Sequence, residues 1–260
     1  MKNYCFIIAF FFLGFIYGQD YEKKRYISKS DTLPYRLLLP KNYDPLKPYP
    51  LLIFLHGAGE RGKDNQKQLI HGSSLFTSEE FRTNYPTIII FPQCPESSYW
   101  ASVKKTHSGK KAKQFKFHKK LTKYPILDLL QEFLYTIEKS YQIDPTRRYI
   151  GGLSMGGMGT FELVTRMPDY FASAFSICGG GHKKWSKKLK NTPFWIFHGS
   201  HDQVVSHRYS KKMFKNMKRD NNQVRLTTYQ GVNHNSWDKA FKEPELFNWI
   251  FSFSKKIKNE

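Results

Sequence analysis

A serine set between glycines, Gly152-Leu153-Ser154-Met155-Gly156, fits G-x-S-x-G, the pattern of a sharp strand-to-helix turn that presents a serine hydroxyl as a nucleophile. In so tight a turn a larger side chain at either flank collides with neighbouring backbone, so glycine is required there. A hydroxyl is a weak nucleophile until a base takes its proton, and the base needs a carboxylate to fix its tautomer. Asp202 and then His234 follow Ser154, the chain order that accompanies this turn. Ser154, Asp202 and His234 are the candidate nucleophile, orienting acid and base. His201 is a competing base, but it precedes the acid and shares its loop. His198 and His207 read as solvated loop histidines. The chemistry of such a set is acyl transfer through an acyl-enzyme. It calls for no metal and no organic cofactor, and no cysteine–histidine cluster has zinc spacing.

The elements that must position these groups are visible around them. Arg148-Tyr149-Ile150-Gly151 ends a strand before the serine, and a helix is expected over 155–167 after it. Asp202 follows the apolar run Pro193–His198, and His234 follows the alternating stretch Val224–Tyr229. Each candidate thus lies just past a strand, where open α/β sheets place their sites. Strands are expected near 23–29, 33–39, 50–56, 87–92, 147–153, 172–178, 193–198 and 223–230. Helices are expected near 125–140, 155–167, 206–219 and 239–253. Strand and helix alternate after residue 50, which predicts an α/β fold with a mostly parallel sheet covered on both faces. The first two strands have no helix between them and predict an antiparallel edge.

The run Pro50–Leu55 ends in His56-Gly57-Ala58-Gly59-Glu60-Arg61-Gly62. Backbone N–H groups in such a loop can face the oxyanion of a tetrahedral intermediate. The expected donors are the N–H groups of Met155 and Ala58, with Gly59 as the substitute. Glu60 and Arg61 either touch substrate or stiffen this loop. Trp100, Trp185 and Trp237 are candidates for a substrate wall, since indole faces stack on sugars and phenolic rings. Trp195 and Trp249 read as core.

On these segments, together with Phe91–Pro95 and Ile177–Gly180, the chain resembles an α/β-hydrolase. More narrowly it is similar to secreted esterases related to polyhydroxybutyrate depolymerases and feruloyl esterases, a group often labelled predicted peptidases. The likeness runs over roughly residues 35 to 250. It implies carboxylic-ester hydrolysis, of acetyl or feruloyl type on carbohydrate or phenolic esters. A peptidase using the same residues is one rival reading, although no gating domain is visible for it. A binding protein that keeps the fold without chemistry is the other, and the intact serine, acid and histidine argue against it.

The apolar run Phe6–Ile16 behind Lys2 is short for a membrane span and suits a signal-peptide core. Residues 1–18 are therefore expected to be a cleaved leader, residues 19–260 one α/β-hydrolase domain, and the protein secreted or periplasmic. Cys94 and Cys178 follow strands expected to be apart, which predicts two buried free thiols. The chain carries 42 Lys+Arg against 21 Asp+Glu, a net +21. No acid falls between Ser97 and Leu127, while a run of lysines extends from Lys104 to Lys123. Such a basic rim would concentrate an anionic substrate, such as an acidic polysaccharide ester. Codon bias toward lysine accounts for the same composition. The expected partner is a small-molecule or polysaccharide ester. No nucleic-acid motif appears, and no integral membrane partner is indicated.

Overall fold

The computed structural model of the protein describes residues 21–29, 31–106 and 114–256. The expected leader, and Lys110, Lys111 and Lys113 of the basic run, lie outside the described residues. In chain order the strands are β1 (Glu22–Ile27), β2 (Thr32–Leu38), β3 (Tyr49–Leu55), β4 (Ile88–Pro92), β5 (Val103–Thr106), β6 (Gln114–Phe117), β7 (Ile143–Leu153), β8 (Ser173–Ile177), β9 (Phe194–Gly199) and β10 (Val224–Tyr229). The helices are α1 (Ser73–Thr77), α2 (Glu79–Asn84), α3 (Pro125–Ser140), α4 (Met155–Arg166), α5 (Arg208–Met217), α6 (Trp237–Ala240) and α7 (Leu246–Phe251).

Eight strands form one sheet in the order β1-β2-β4-β3-β7-β8-β9-β10. β1 and β2, and β2 and β4, pair antiparallel. Every pairing from β4 to β10 is parallel. The expected sheet and its antiparallel edge are both present.

β4, β8 and β9 are buried along their whole length, as continuous apolar runs demand when helices cover both faces. Side chains alternate between two cores. Leu51, Ile53 and Leu55 pack with Phe133 of α3 and Met158 and Phe161 of α4. Leu52 and Phe54 of the same strand pack with Phe76 of α1 and Trp249 of α7. Strand period two therefore yields a three-layer molecule. α3 spans the predicted residues, with Pro125 in its first turn and seven apolar side chains buried on one face. Proline suits that turn because no acceptor there needs its N–H.

Several elements depart from expectation, among them α1 and α2, which no expected helix covers. The helix expected over 239–253 is two short helices, α6 and α7, because Pro244 between them cannot continue the first. β7 begins at Ile143 rather than 147, pairing with Tyr49 across a register shift. Its polar start, Asp144-Pro145-Thr146-Arg147, carries no alternation to announce a strand. The basic stretch contains the hairpin pair β5–β6, in which Phe115 and Phe117 are buried while Gln114 and Lys116 face out.

Candidate active site

A strained turn joins β7 to α4. Ser154 adopts φ 53° and ψ −113°, a left-handed backbone that costs a non-glycine residue energy and persists only where surroundings hold it. Those surroundings are close. A Cβ on Gly156 would sit 1.9 Å from the Leu55 carbonyl oxygen, and one on Gly152 would sit 2.6 Å from the Gly156 backbone. The Ser154 N–H donates to the Ile177 carbonyl of β8 at 2.8 Å. The glycines thus let β3, β7 and α4 meet, and the serine is lifted at their junction.

The Ser154 Oγ lies 2.9 Å from His234 Nε2, and His234 Nδ1 lies 2.7 Å from Asp202 Oδ2. A carboxylate only accepts, so Nδ1 carries the ring proton and Nε2 is left to receive the serine hydrogen. Asp202 Oδ1 accepts from the N–H groups of Val204 and Val205, both at 2.8 Å. Burial raises the Asp202 carboxyl pKa. Hydrogen bonds from His198 and His234 outweigh it and hold the group below the usual carboxylate range. Asn233 ties the acid loop to the base loop, its Oδ1 accepting from Gln203 N at 3.0 Å and His234 N at 2.8 Å.

His56 shapes the loop after β3. Its Nδ1–H donates to the Gly57 carbonyl at 2.6 Å, while its Nε2 accepts from Cys94 N at 2.9 Å. Burial pushes the imidazole down to about 4, so it is neutral and can play both roles. In a trans peptide the carbonyl and the next N–H point in opposite directions. Gripping the Gly57 oxygen therefore turns the Ala58 N–H away from the His56 ring. Ala58 opens the 3₁₀ turn Ala58–Glu60 and Met155 opens α4, so neither N–H has a partner within its own helix. Gly59 is exposed, and a Cβ there would meet nothing within 4 Å.

The other candidates divide. Trp237 is half-buried, its ring 5.4 Å from that of His234 and 5.1 Å from that of His71. Glu60 is buried, with Oε1 3.7 Å from His71 Nε2. Arg61 donates to the carbonyls of Ala58, Glu96 and Ser98 at 2.9, 2.8 and 3.2 Å, a stiffening arrangement. Trp100 and Trp185 do not form a substrate wall. Both are buried in the core, at 0% and 2% exposure, because the segments that carry them, for Trp185 the 3₁₀ helix Lys183–Lys188, turn inward onto α4 and the β5–β6 pair. Trp195 and Trp249 are core, as expected. Cys94 and Cys178 are buried free thiols.

The histidines also divide. His201 is exposed, its ring Nδ1 lying 2.9 Å from Ser200 Oγ while its backbone N–H donates to the Val232 carbonyl at 3.0 Å. His198 and His207 are buried, not solvated. His56, His198 and Asn233 are the groups that sequence reasoning passes over. His56 and His198 each end an apolar strand run, and that position is a signal for an inward-facing polar group.

Sheet order, strained serine turn and the loops beyond β9 and β10 define an α/β-hydrolase fold. Residues 30–242 match the family model described as "Putative esterase", and the chain belongs to that family. A bifunctional acetylxylan esterase/xylanase of Neocallimastix patriciarum is 26% identical over 179 residues, 68% of this chain and 22% of that protein. The crystal structure of a thermostable esterase superposes with a TM-score of 0.80 at 32% identity, over 91% of this chain and 64% of that one. A CE1 ferulic acid esterase from Anaeromyces mucronatus, solved with ferulic acid, superposes with a TM-score of 0.65 at 17% identity, covering 90% of each chain. This last likeness is one of fold. The chain spans well under two thirds of the fungal relative and just under two thirds of the thermostable esterase.

Proposed function

We propose that the protein is a secreted serine carboxylic-ester hydrolase whose nucleophile, base and acid are Ser154, His234 and Asp202. The observation that carries this reading is the hydrogen-bonded series from Ser154 Oγ through His234 to Asp202, with steps of 2.9 and 2.7 Å, built on a strained serine turn. His234 takes the serine hydrogen as Oγ attacks the ester carbonyl, and the Asp202 carboxylate stabilises the imidazolium that forms. The N–H groups of Ala58 and Met155 face the developing oxyanion. His234 then protonates the departing alcohol, and water attacks the acyl-enzyme by the reverse use of the same groups. Residues 1–18 serve as the leader, and 19–260 form the catalytic domain.

Carbohydrate and phenolic esters are the proposed substrates, in line with the relatives' acetylxylan and ferulic acid esters. Trp237, Glu60 and His71 supply one wall beside His234. A basic cleft of about 630 Å³, lined by Lys116, Lys183, Arg208 and Lys212 around Phe115 and Tyr209, supports an anionic ester. His182 on the same cleft has its pKa held down first by burial and then by the nearby charges of Lys212, Lys184 and Lys183. For an acidic polysaccharide ester kcat/KM should fall steeply with added salt, while a neutral ester hardly responds. Equal responses would remove charge from the account.

Labelling of the purified protein with a fluorophosphonate tests the assignment. The expected adduct maps to Ser154, and acetyl or feruloyl esters of sugars are hydrolysed while the matching amides are not. Turnover of amides at comparable rates would favour the peptidase reading. No adduct would favour a binding protein.

A further inference from the structure

His198 ends β9 with an exposure of 0%, and every polar atom of its ring is engaged. Nε2 lies 2.8 Å from the Val205 carbonyl and 3.1 Å from Asp202 Oδ2. Both of those atoms only accept, so Nε2 carries a hydrogen shared between them. Nδ1 lies 2.7 Å from Ser210 Oγ in α5, and Ser210 Oγ lies 3.1 Å from the Gly179 carbonyl beyond β8. The ring of His207 stands 5.3 Å away. One imidazole thus joins the ends of β8 and β9, the first turns of α5 and the loop bearing Asp202.

Asp202 Oδ1 is filled by two backbone donors, whereas Oδ2 receives His234 Nδ1 at 2.7 Å and His198 Nε2 at 3.1 Å. Without His198, Oδ2 would be held by His234 alone, the group that must shift between serine and leaving group. We infer that His198 is a positioning residue, a second histidine that pins Asp202 Oδ2 so that the carboxylate holds its direction while His234 moves protons. This rests on the reading of Asp202 and His234 as acid and base. It adds a group that neither the order serine, acid, histidine nor the serine turn requires.

Two substitutions separate positioning from mere packing. In His198→Asn the amide occupies the Nδ1 side, keeping Ser210 within reach but withdrawing the donor from Asp202. In His198→Gln the amide nitrogen extends to the Nε2 side and restores it. With p-nitrophenyl acetate, His198→Asn should lower kcat about ten- to hundredfold, as small misplacements of reacting groups do, while KM stays within about twofold. His198→Gln should recover most of the loss. The proton resonance of the His234 Nδ1–H should move in the Asn variant and return in the Gln variant. Thermal melts measured beside each variant account for any loss of folded protein. If the Asn variant fails to fold, Ser210→Ala serves instead, since it frees Nδ1 and should shift the resonance and kcat in the same direction by less.

Equal behaviour of Asn and Gln, or a loss that tracks folded fraction with the resonance unmoved, would overturn the assignment. The resonance needs no turnover. A wild type without ester hydrolysis would therefore sink the esterase reading while the role of His198 was still decided.

Discussion

Ser154 at φ 53° gives up backbone comfort for a hydroxyl raised 2.9 Å from a histidine. The carboxylate behind that histidine is held by four donors, two to each oxygen. Asp202→Asn would leave the shape intact but offer an amide hydrogen to His234, reversing its tautomer. The expected outcome is a fall in kcat of roughly 10³- to 10⁴-fold, measured on a small ester, with the melting temperature little changed. A loss of tenfold or less would mean that Asp202 does not orient the base. Ser154, Asp202 and His234 are readable in the sequence because order and element context constrain them jointly. His198 is not, since a histidine four residues before an aspartate looks like loop until β9 is seen to bury it. Trp100 and Trp185 fail for the same reason in reverse, because residue type says nothing about whether a loop turns outward or into the core.

The elements around the serine are locked by close backbone approach rather than by side-chain chemistry. Alanine normally improves a helix over glycine, and Gly156 lies in the first turn of α4. A Cβ there would nonetheless meet the Leu55 oxygen at 1.9 Å, backbone that cannot give way without parting β3 from α4. Gly156→Ala should therefore destabilise the protein by about 2 kcal/mol or more, against the propensity rule. Gly59→Ala, with nothing within 4 Å of the added carbon, should stay within about 0.5 kcal/mol of wild type. Chemical denaturation of the pair checks both, and a stable Gly156→Ala would contradict the close approach. Most strands are legible because buried parallel strands are uninterrupted apolar runs, and α3 because its apolar face and Pro125 agree. The polar start of β7 and the β5–β6 pairing are not. Both depend on partner strands that local pattern does not carry, whereas the helix break is written in Pro244 itself and is lost only when apolar spacing is read past the proline.

Charge and burial act on the molecule as a unit. Burial lowers both His56 and His207 from 6.5 to about 4, helped at His207 by His198 and Lys211. Between pH 6.5 and about 4 the unfolded chain binds protons that the folded chain refuses, so stability must fall as pH falls through that window. The Asp64 carboxyl is held down to about 2, chiefly by backbone hydrogen bonds from Lys67 against its burial, and adds a further loss only below about pH 4. Thermal midpoints from pH 7 to pH 4 should decline, and His207→Gln should flatten the decline. A midpoint independent of pH in that range would contradict the buried neutral histidines. The thiols of Cys94 and Cys178 are both raised by burial, Cys94 to about 12. They should react with a thiol reagent only on unfolding.

The proposed ester hydrolysis requires Ser154 as its nucleophile. The most direct test is the initial rate of the purified protein on p-nitrophenyl acetate beside Ser154→Ala. Ester hydrolysis through Ser154 should appear as steady turnover by the wild type and a variant at the level of uncatalysed hydrolysis. Equal rates for the two proteins, whether both measurable or both at background, would contradict it.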